Sequence, residues 1–298
     1  MKVGKKIFKD RIKTAVFPVA GLGTRFLPIT RSVSKEFLPI IDKPLIHYAV
    51  EEALVSGIET LIFVTGKNRF ALKSYFGKNL KVHHFMKGGR FSIEFSDAEM
   101  SFAKKVECHY VKQSSPKGLG DAILCAKPLI GDKAFVVILP DDVITGPNLP
   151  TKQLIDSYYK HRTNYLLVKK VSDSDISRYG IIDPDFKREI ALRVIEKPNK
   201  KDAPSNLASL GRYVLEPTIF SILETLRPGK NSEIQLADAL NSLAMRGSMK
   251  FKTLESQHFD CGSKFGYLEA VFNFSLSDKL YGKKFQNLIT TKIEESNS

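Results

Sequence analysis

The sequence predicts an α/β fold in which helices flank a mixed, mostly parallel sheet, with a smaller set of antiparallel strands added in the second half. Continuously apolar runs of strand length alternate with helical patterns up to Pro150, whereas strand candidates crowd together after it. The composition supports a globular class, because 43% of the 298 residues are hydrophobic and 26% are charged. Such a chain can bury a sizeable core and lacks the composition of a disordered protein.

The first half carries the parallel part of this prediction. The run at 134–139 (AFVVIL) is apolar throughout, which is typical of a parallel strand covered on both faces. Apolar residues at helical spacing, such as Leu45, Ala49 and Ala53, indicate a helix at 44–57. We expect strands at 13–20, 60–65, 106–111 and 134–139, and helices at 44–57, 67–76 and 118–126.

The second half carries the added strands. Turn sequences such as Asp183-Pro184-Asp185 separate its closely spaced strand candidates, which favours antiparallel or mixed pairing. The tail from Gly282 is polar enough that we expect it to fray. We expect strands at 165–171, 179–182, 192–196, 210–215 and 249–254, and helices at 217–226, 232–245 and 263–280.

The chain length favours one elaborated domain rather than two large ones. Residues 1–13 hold six basic side chains against one acidic side chain, Asp10, and supply +5 of the net charge of +14. Termini tolerate charge, so we interpret this basic arm as a solvated terminus. We expect an arm at 1–12, one domain at 13–280 with halves 13–150 and 151–280, and a polar tail at 281–298.

The net charge of +14 suggests an anionic partner: nucleic acid, anionic lipid or a phosphorylated small molecule. Aromatic residues are not interleaved with the basic ones, which disfavours a platform for single-stranded nucleic acid. No apolar run approaches the ~20 residues that cross a bilayer, and no signal-peptide pattern begins the chain, so we expect a cytoplasmic protein. Cys108, Cys125 and Cys261 lie far apart, which predicts reduced thiols and no structural zinc site.

The first glycine loop follows a buried strand, where free backbone N–H groups can bind phosphate. It contains Gly21 and Gly23, but the dinucleotide fingerprint would need a small residue in place of Phe26, and the P-loop Gly-Lys-Ser/Thr is absent. Arg25 and Lys35 are two cations that could converge on one polyphosphate. Taken alone, the loop would be interpreted as a glycine turn with incidental surface cations.

Several blocks spread in order over residues 13–275 make the pattern specific. They are GLGTRFLP, SKEFLP, IDKPLIHY, KGLGDAILCA, ILPDD, RYGIID, EKP, APSNLASLGRYVL and FDCGS. Together they resemble the bacterial glucose-1-phosphate uridylyltransferases. The resemblance implies a Rossmann-like nucleotide-binding fold whose later mixed strands form a sugar-binding portion. It also implies the formation of UDP-glucose and pyrophosphate from UTP and glucose 1-phosphate with Mg²⁺.

The implied reaction needs charge neutralisation more than proton transfer. The attacking sugar phosphate is largely dianionic at neutral pH, so no general base is required, but it must approach another polyanion.

Asp141 follows an apolar strand, at the edge where open α/β sheets bind ligands, and we expect it to hold Mg²⁺. Asp260 matches the family's second metal carboxylate. Asp142 is left out of the metal set, because a helix-capping or outer role is equally consistent with its position.

The remaining roles come from the resemblance alone. Arg25, Lys35 and Lys197 match the cations that contact the reacting phosphates, and Glu196 matches the residue that accepts hydrogen bonds from glucose hydroxyls. Because neighbours on a strand face opposite ways, Glu196 and Lys197 can serve one ligand only if the strand ends or bulges there. The positions matching uracil contacts are Ala20, Gly21, Glu36, Gln113 and Gly118, and Gly23 joins them in the nucleotide-binding set. Those matching close glucose contacts are Gly180 and Gly211.

The sequence departs from the family at Ser34, where proline is common, which questions the rigidity of that loop. Residues 77–105 match poorly, and His83-His84 within them lack the i, i+4 spacing of helical metal ligands.

The resemblance implies a homodimer or homotetramer. Three alternatives remain open: a thymidylyl- or cytidylyltransferase, a non-catalytic relative that binds UDP-glucose, and a nucleic-acid-binding protein, which predicts strongly salt-dependent association.

Overall fold

The computed structural model describes residues 11–66, 70–77, 79–80, 106–146, 148–229 and 232–296. Its helices are α1 (Leu45–Val55), α2 (Phe70–Phe76), α3 (Leu119–Cys125), α4 (Lys127–Ile130), α5 (Pro150–His161), α6 (Thr218–Thr225), α7 (Leu236–Met245), α8 (Lys264–Ser277) and α9 (Gly282–Ser296). Its strands are β1 (Thr14–Val19), β2 (Pro39–Ile40), β3 (Lys43–Pro44), β4 (Thr60–Thr65), β5 (Asn79–Leu80), β6 (Val106–Lys112), β7 (Phe135–Ile138), β8 (Asp142–Thr145), β9 (Asn164–Lys170), β10 (Gly180–Asp185), β11 (Ile190–Glu196), β12 (Leu207–Leu215), β13 (Met249–Thr253) and β14 (Gln257–Asp260).

The chain divides into two compact units that interleave along the sequence. The first unit comprises residues up to Gly21, Val50–Leu139 and Gly146–Ser256. The second unit comprises Leu22–Ala49, Pro140–Thr145 and Gln257–Ser298. The predicted halves 13–150 and 151–280 follow chain order instead, and the prediction of one domain at 13–280 stays a prediction.

The first unit contains a mixed sheet with the strand order β10-β11-β13-β9-β12-β7-β1-β4-β6-β5. Strands β7, β1, β4 and β6 pair in parallel, as the alternation of apolar runs and helices predicts. The strands of the second half extend the same sheet, mainly by antiparallel pairs, and β9 with β13 is a parallel exception. The register places Val19, Thr65 and Lys112 side by side, so the loops after β1, β4 and β6 leave one edge of the sheet together.

Apolar burial stabilises this unit. Val16, Ile62 and Val137 are completely buried in one hydrophobic cluster that also takes in α3, α6 and α7. Each such side chain contributes about 1.5–3 kcal/mol relative to exposure. This burial explains why the sheet strands are continuously apolar rather than alternating.

A buried ion pair joins helix α1 to the centre of the sheet. The Arg212 guanidinium, 1% exposed, donates to both carboxylate oxygens of Glu52 at 2.8–3.1 Å. Its Nη1 donates to the carbonyl oxygens of Leu139 and Gly211, at 3.0 and 3.1 Å. The Thr151 hydroxyl donates to Glu52 as well, at 2.5 Å. Breaking such a pair costs about 3–5 kcal/mol, because the remaining charge is left buried.

The second unit is built from two short antiparallel pairs and the last helices. Strand β2 pairs with β3, and β8 pairs with β14, so that Asp260 lies opposite Asp142. A separate apolar cluster, which includes Phe26, Tyr48 and Phe274, packs this unit. The pairing of β8 with β14 therefore fixes the position of Asp142 relative to Asp260.

Two helices correct the sequence prediction. The prediction that the tail from Gly282 frays is wrong, because α9 covers Gly282–Ser296 and packs Phe285 on Phe272 of α8 with ring centres 5.9 Å apart. Helix α5 was not predicted. None of the described helices is long and apolar enough to span a membrane.

Some predictions lie on residues outside the described ones. These are residues 1–10 of the basic arm and residues 81–105, which include His83 and His84. Arg11 and Ile12, the end of the predicted arm, are described. Ile12 is buried, and its backbone N–H donates to the Tyr159 hydroxyl at 2.7 Å.

Candidate active site

In the first unit, Gln113 lies directly after β6 at the edge where Ala20 and Gly21 follow β1. Its backbone N–H donates to Thr65 O at 2.8 Å, and the residue is 5% exposed. The side-chain Nε2 donates to Gly118 O at 3.1 Å and to Asp121 Oδ2 at 2.7 Å. Gln113 is therefore held by its backbone and by its side chain.

The loop before α3 requires glycine for a steric reason. Gly118 has a φ of 97°, and a Cβ there would lie 2.6 Å from Ile234 O. The Gly120 N–H donates to the same oxygen at 2.8 Å, and the Ile234 N–H donates to Lys117 O at 2.7 Å. The segment KGLG is thus fixed by backbone contacts that a side chain would disrupt.

Strand β11 ends at the predicted sugar and phosphate residues. Lys197 has a φ of 45°, and its Nζ lies 2.8 Å from Glu196 Oε1. Strand β11 therefore ends at Glu196. This meets the condition under which Glu196 and Lys197 can contact one ligand, because neighbours within a strand would face opposite ways. A Cβ on Gly180 would lie 3.3 Å from Glu196 Oε2, so glycine leaves room beside this carboxylate. Gly211 is buried in β12, the strand that pairs with β10 through Ala208 and Ile181.

In the second unit, Gly23 begins the turn that presents Arg25. Gly23 has a φ of 61°, and a Cβ there would lie 3.0 Å from Thr30 Cγ2 and 3.2 Å from Lys35 Cβ. The Thr30 hydroxyl donates to Gly23 O at 2.9 Å. Arg25 is exposed, and its Nη1 donates to Gly262 O at 3.3 Å. The guanidinium is thus tethered at one nitrogen and leaves other donors for a ligand.

Lys35 and Asp141 form an ion pair with Nζ and Oδ2 2.6 Å apart. Burial opposes the charge of Lys35, but the nearby carboxylates, Asp141 first and then Glu36 and Asp142, together outweigh burial and raise the pKa of Lys35 above its ordinary value. Burial likewise opposes the charge of Asp141, but Lys35, a backbone hydrogen bond and Arg25 together outweigh it, so the pKa of Asp141 is lowered. Both groups are charged at neutral pH. Ser34, just before, has a φ of −66°, the value that proline would impose, so the departure from the family pattern keeps the loop conformation.

Glu36 is the buried acid of this loop, at 2% exposure. Burial raises its pKa to about 7, against the opposing charge of Lys35. Neither carboxylate oxygen accepts a hydrogen bond from any residue that the structure describes. Glu36 therefore titrates near neutrality.

Asp141 and Asp260 share a small space over Gly262. A Cβ on Gly262 would lie 2.9 Å from Asp141 Oδ2 and 3.0 Å from Asp260 Oδ1, so the glycine keeps this space open. The Gly262 N–H donates to Asp260 Oδ1 at 3.0 Å, and the Cys261 N–H donates to Asp141 O at 2.8 Å. Two carboxylates facing one space fit a hard divalent cation, which also takes substrate oxygens as ligands. Within the described ranges, no cluster of three or more His, Cys, Asp or Glu side chains suits a metal.

The position left out of the metal set has a partner of its own. Asp142 Oδ1 lies 2.5 Å from Nε2 of His258, whose side chain is 1% exposed. This pair links the start of β8 to β14, on which Asp260 lies. Asp142 thus contacts a buried side chain of the protein, and its exclusion from the metal set stays a prediction.

Sequence reasoning assigned no role to three residues with clear structural tasks: Asp121, Gly262 and Arg212. Asp121 and Gly262 lie inside the motifs KGLGDAILCA and FDCGS, so a signal existed in the motif positions. Arg212 lies inside the motif APSNLASLGRYVL as well, but a charged residue within a strand does not indicate a buried partner 160 positions away.

Comparison with known proteins agrees with this architecture. The Nucleotidyl transferase family matches residues 15–275. UTP–glucose-1-phosphate uridylyltransferase 2 of Streptococcus pyogenes serotype M3 is 42% identical over 276 residues, which are 89% of this chain and 91% of that protein. A structure of UDP-glucose pyrophosphorylase complexed with UDP-glucose has a TM-score of 0.78 at 40% identity and covers 88% of this chain and 98% of its own. The UTP-bound UGPase from Acinetobacter baumannii has a TM-score of 0.77 at 36% identity, over 94% and 99%.

The fold and the matched family together define a nucleotidyl transferase, and this family suggests a requirement for a divalent metal. The predicted mixed α/β fold is confirmed. Within that class, the chain belongs to the UTP–glucose-1-phosphate uridylyltransferase family. The resemblance drawn from the sequence motifs is thereby confirmed.

Proposed function

We propose that this protein makes UDP-glucose and pyrophosphate from UTP and glucose 1-phosphate. The observation that carries the proposal is the charged cluster of the second unit, in which Lys35 binds Asp141 at 2.6 Å and Asp141 shares the space over Gly262 with Asp260. This cluster offers cations for phosphates and carboxylates for a metal. The family and its UTP-bound and UDP-glucose-bound structures support the choice of substrates and product.

The reaction is an in-line displacement at the α-phosphorus of UTP. A phosphate oxygen of glucose 1-phosphate forms the new P–O bond, and the bond to the bridging oxygen of pyrophosphate breaks. Proton transfer is not needed, because the attacking phosphate is already ionised. The protein therefore acts by positioning and by neutralising negative charge.

The cations divide this work. Arg25 keeps free donors for the triphosphate, which a planar guanidinium binds in bidentate fashion. The raised pKa of Lys35 keeps its ammonium charged at neutral pH, and it can move its hydrogen bonds from Asp141 to phosphate oxygens. Lys197, the cation beside the proposed sugar ligand Glu196, contacts the phosphate of the sugar.

Asp141 and Asp260 would hold Mg²⁺, which supplies Lewis-acid stabilisation of the phosphate oxygens when it is bound. The lowered pKa of Asp141 keeps this ligand ionised at neutral pH. Gly262 is required because any side chain would fill the space that the two carboxylates face.

The first unit supplies ligands for the base and for the sugar. Ala20, Gly21, Gln113 and Gly118 are its uracil ligands, at one edge of the sheet. Gly23 and Glu36 are assigned to the nucleotide by the family resemblance. Glu196 accepts hydrogen bonds from glucose hydroxyls, and Gly180 and Gly211 allow the sugar to approach the backbone. A carboxylate suits this task because it only accepts, whereas sugar hydroxyls donate.

The test is pyrophosphate release with Mg²⁺ and glucose 1-phosphate, comparing UTP, dTTP, CTP and ATP. Strong preference for UTP is the expected result. Equal use of dTTP or CTP would favour the thymidylyl or cytidylyl alternatives, and silence with all four would refute the enzymatic proposal in favour of a non-catalytic UDP-glucose-binding protein.

Two further expectations belong to the same proposal. A cytoplasmic location is the expectation from the sequence, and it is compatible with Cys108, Cys125 and Cys261, none of which forms a disulfide in the described part of the chain. A homodimer or homotetramer is implied by the family resemblance, and light scattering after size-exclusion chromatography measures it. Nucleic-acid binding stays disfavoured, and a mobility shift at low salt would contradict that.

A further inference from the structure

We propose that Asp121 fixes the orientation of the Gln113 side-chain amide, and that this orientation selects an imide base, uracil or thymine, over cytosine. The inference rests on the proposed function, because Gln113 is assigned to the base there. Asp121 is a positioning residue in this proposal, since it acts through Gln113.

The orientation follows from the chemistry of the two partners. Nε2 of Gln113 lies 2.7 Å from Asp121 Oδ2 and 3.1 Å from Gly118 O. A carboxylate and a backbone carbonyl have no hydrogen to donate, so each must face the NH₂ group of the amide. Rotating the amide by half a turn would place Oε1 against two acceptor oxygens and lose both hydrogen bonds.

Both hydrogens of the amide are therefore used within the protein. The acceptor Oε1 is the group left for a ligand, since no contact among the described residues engages it. Gln113 thus offers the base an acceptor and not a donor. A glutamine amide can in general both donate and accept, but here only its acceptor is left for the base.

The supports of this arrangement are themselves fixed. The Gln113 N–H donates to Thr65 O at 2.8 Å, and Gly118 O accepts a second hydrogen bond from the Ala122 N–H at 3.2 Å. Gly118 cannot shift toward Ile234, whose carbonyl oxygen already contacts the loop. With 5% of Gln113 exposed, the side chain has little room for another rotamer.

An acceptor at this position distinguishes the pyrimidine bases. Uracil and thymine carry a hydrogen on N3, which Oε1 can accept, whereas N3 of cytosine carries a lone pair that would face the same oxygen. A mismatch of this kind in a desolvated site lowers kcat/KM by at least about tenfold. Thymine presents the same imide edge, so this contact does not separate UTP from dTTP.

The test is Asp121→Asn, which keeps the shape but can donate as well as accept, so that only Gly118 O still holds the Gln113 amide in its observed orientation. We expect the ratio of kcat/KM for UTP to that for CTP to fall by at least about tenfold, with KM for glucose 1-phosphate and Tm close to wild type. Asp132→Asn makes the same chemical change in an exposed turn and should leave the ratio unchanged. The ratio of Kd for UMP and CMP, by calorimetry, gives the same comparison without turnover.

An unchanged ratio in Asp121→Asn, or an equal loss with UTP and CTP, would overturn the positioning role and indicate structural support alone. Measuring the wild-type protein with UTP distinguishes failure of the Asp121 proposal from failure of the proposed function. A wild type inactive with UTP refutes the function itself. A wild type that prefers UTP, together with an unchanged ratio in the variant, refutes only the role of Asp121.

Discussion

The two units hold their proposed ligand groups in opposite ways. In the first unit, Gln113 is a neutral side chain whose amide hydrogens are both taken by Gly118 and Asp121. In the second unit, Lys35 and Asp141 are charged and are bound to each other at 2.6 Å. Under the proposed function, the first arrangement stays intact when a base binds, whereas the second exchanges its ion pair for phosphate and metal.

Under the proposed function, the first arrangement determines selectivity for the base, and the second determines the rate of the reaction. A fixed hydrogen-bonding edge distinguishes bases by mismatch, and it contributes little to charge neutralisation. Charged groups such as Lys35 stabilise the negative charge that develops on the phosphates, and they do not distinguish one base from another. Variants of the two units should therefore change different kinetic quantities.

The largest effect should come from Asp141→Asn, which removes a metal carboxylate and the partner of Lys35. We expect kcat to fall by at least about a hundredfold while the residual activity keeps its preference for UTP. Pyrophosphate release gives the rate, and circular dichroism checks the fold. Asp42→Asn, in the exposed turn between β2 and β3, is the matched control. Near-normal kcat in Asp141→Asn would refute the metal assignment.

The next effect concerns stability and pH through Glu36. Its pKa of about 7 in the folded state lies above the ordinary 4.5, so the folded state binds its proton more tightly than the unfolded state does. Stability from this group is full below about pH 4.5 and is lost as pH rises to 7, by up to about 3 kcal/mol. Thermal unfolding of Glu36→Gln should show a smaller decline in Tm between pH 5 and pH 8 than wild type. Parallel curves for the two proteins would contradict the raised pKa.

The smallest effect should come from Glu196→Gln in the first unit. The amide is a weaker acceptor than the carboxylate for sugar hydroxyls, and it no longer pairs with Lys197. We expect KM for glucose 1-phosphate to rise about tenfold with KM for UTP little changed. Glu224→Gln removes a similar surface ion pair, with Lys127, and should change neither constant. An equal loss toward both substrates would indicate a structural role for Glu196.

The sequence predicted elements well where the pattern came from burial. Strand β4 has the predicted bounds, because all of TLIFVT fits a strand covered on both faces. Helix α5 was missed since its exposed face is rich in polar residues, and α9 was missed because its apolar residues are sparse and mostly exposed. The four-residue strands β8 and β14 are too short to give a period.

The candidate site was predictable as a set of residue types, but not as a set of contacts. The motif around Asp141 and Asp260 predicted two carboxylates, yet the space between them depends on Gly262, whose role only coordinates show. Gln113 was predicted to contact a base, but its orientation depends on Asp121, eight positions along the chain in the first turn of α3. Partners of this kind follow from tertiary packing, which local patterns do not contain.

The most direct test of the central claim follows the oxygen atoms of the sugar phosphate. Glucose 1-phosphate labelled with ¹⁸O at its three non-bridging phosphate oxygens is incubated with UTP, Mg²⁺ and the wild-type protein, and the products are analysed by mass spectrometry. Attack by the sugar phosphate on the α-phosphorus predicts UDP-glucose that retains all of the label and pyrophosphate that contains none. Label in pyrophosphate, or no UDP-glucose at all, would contradict the account.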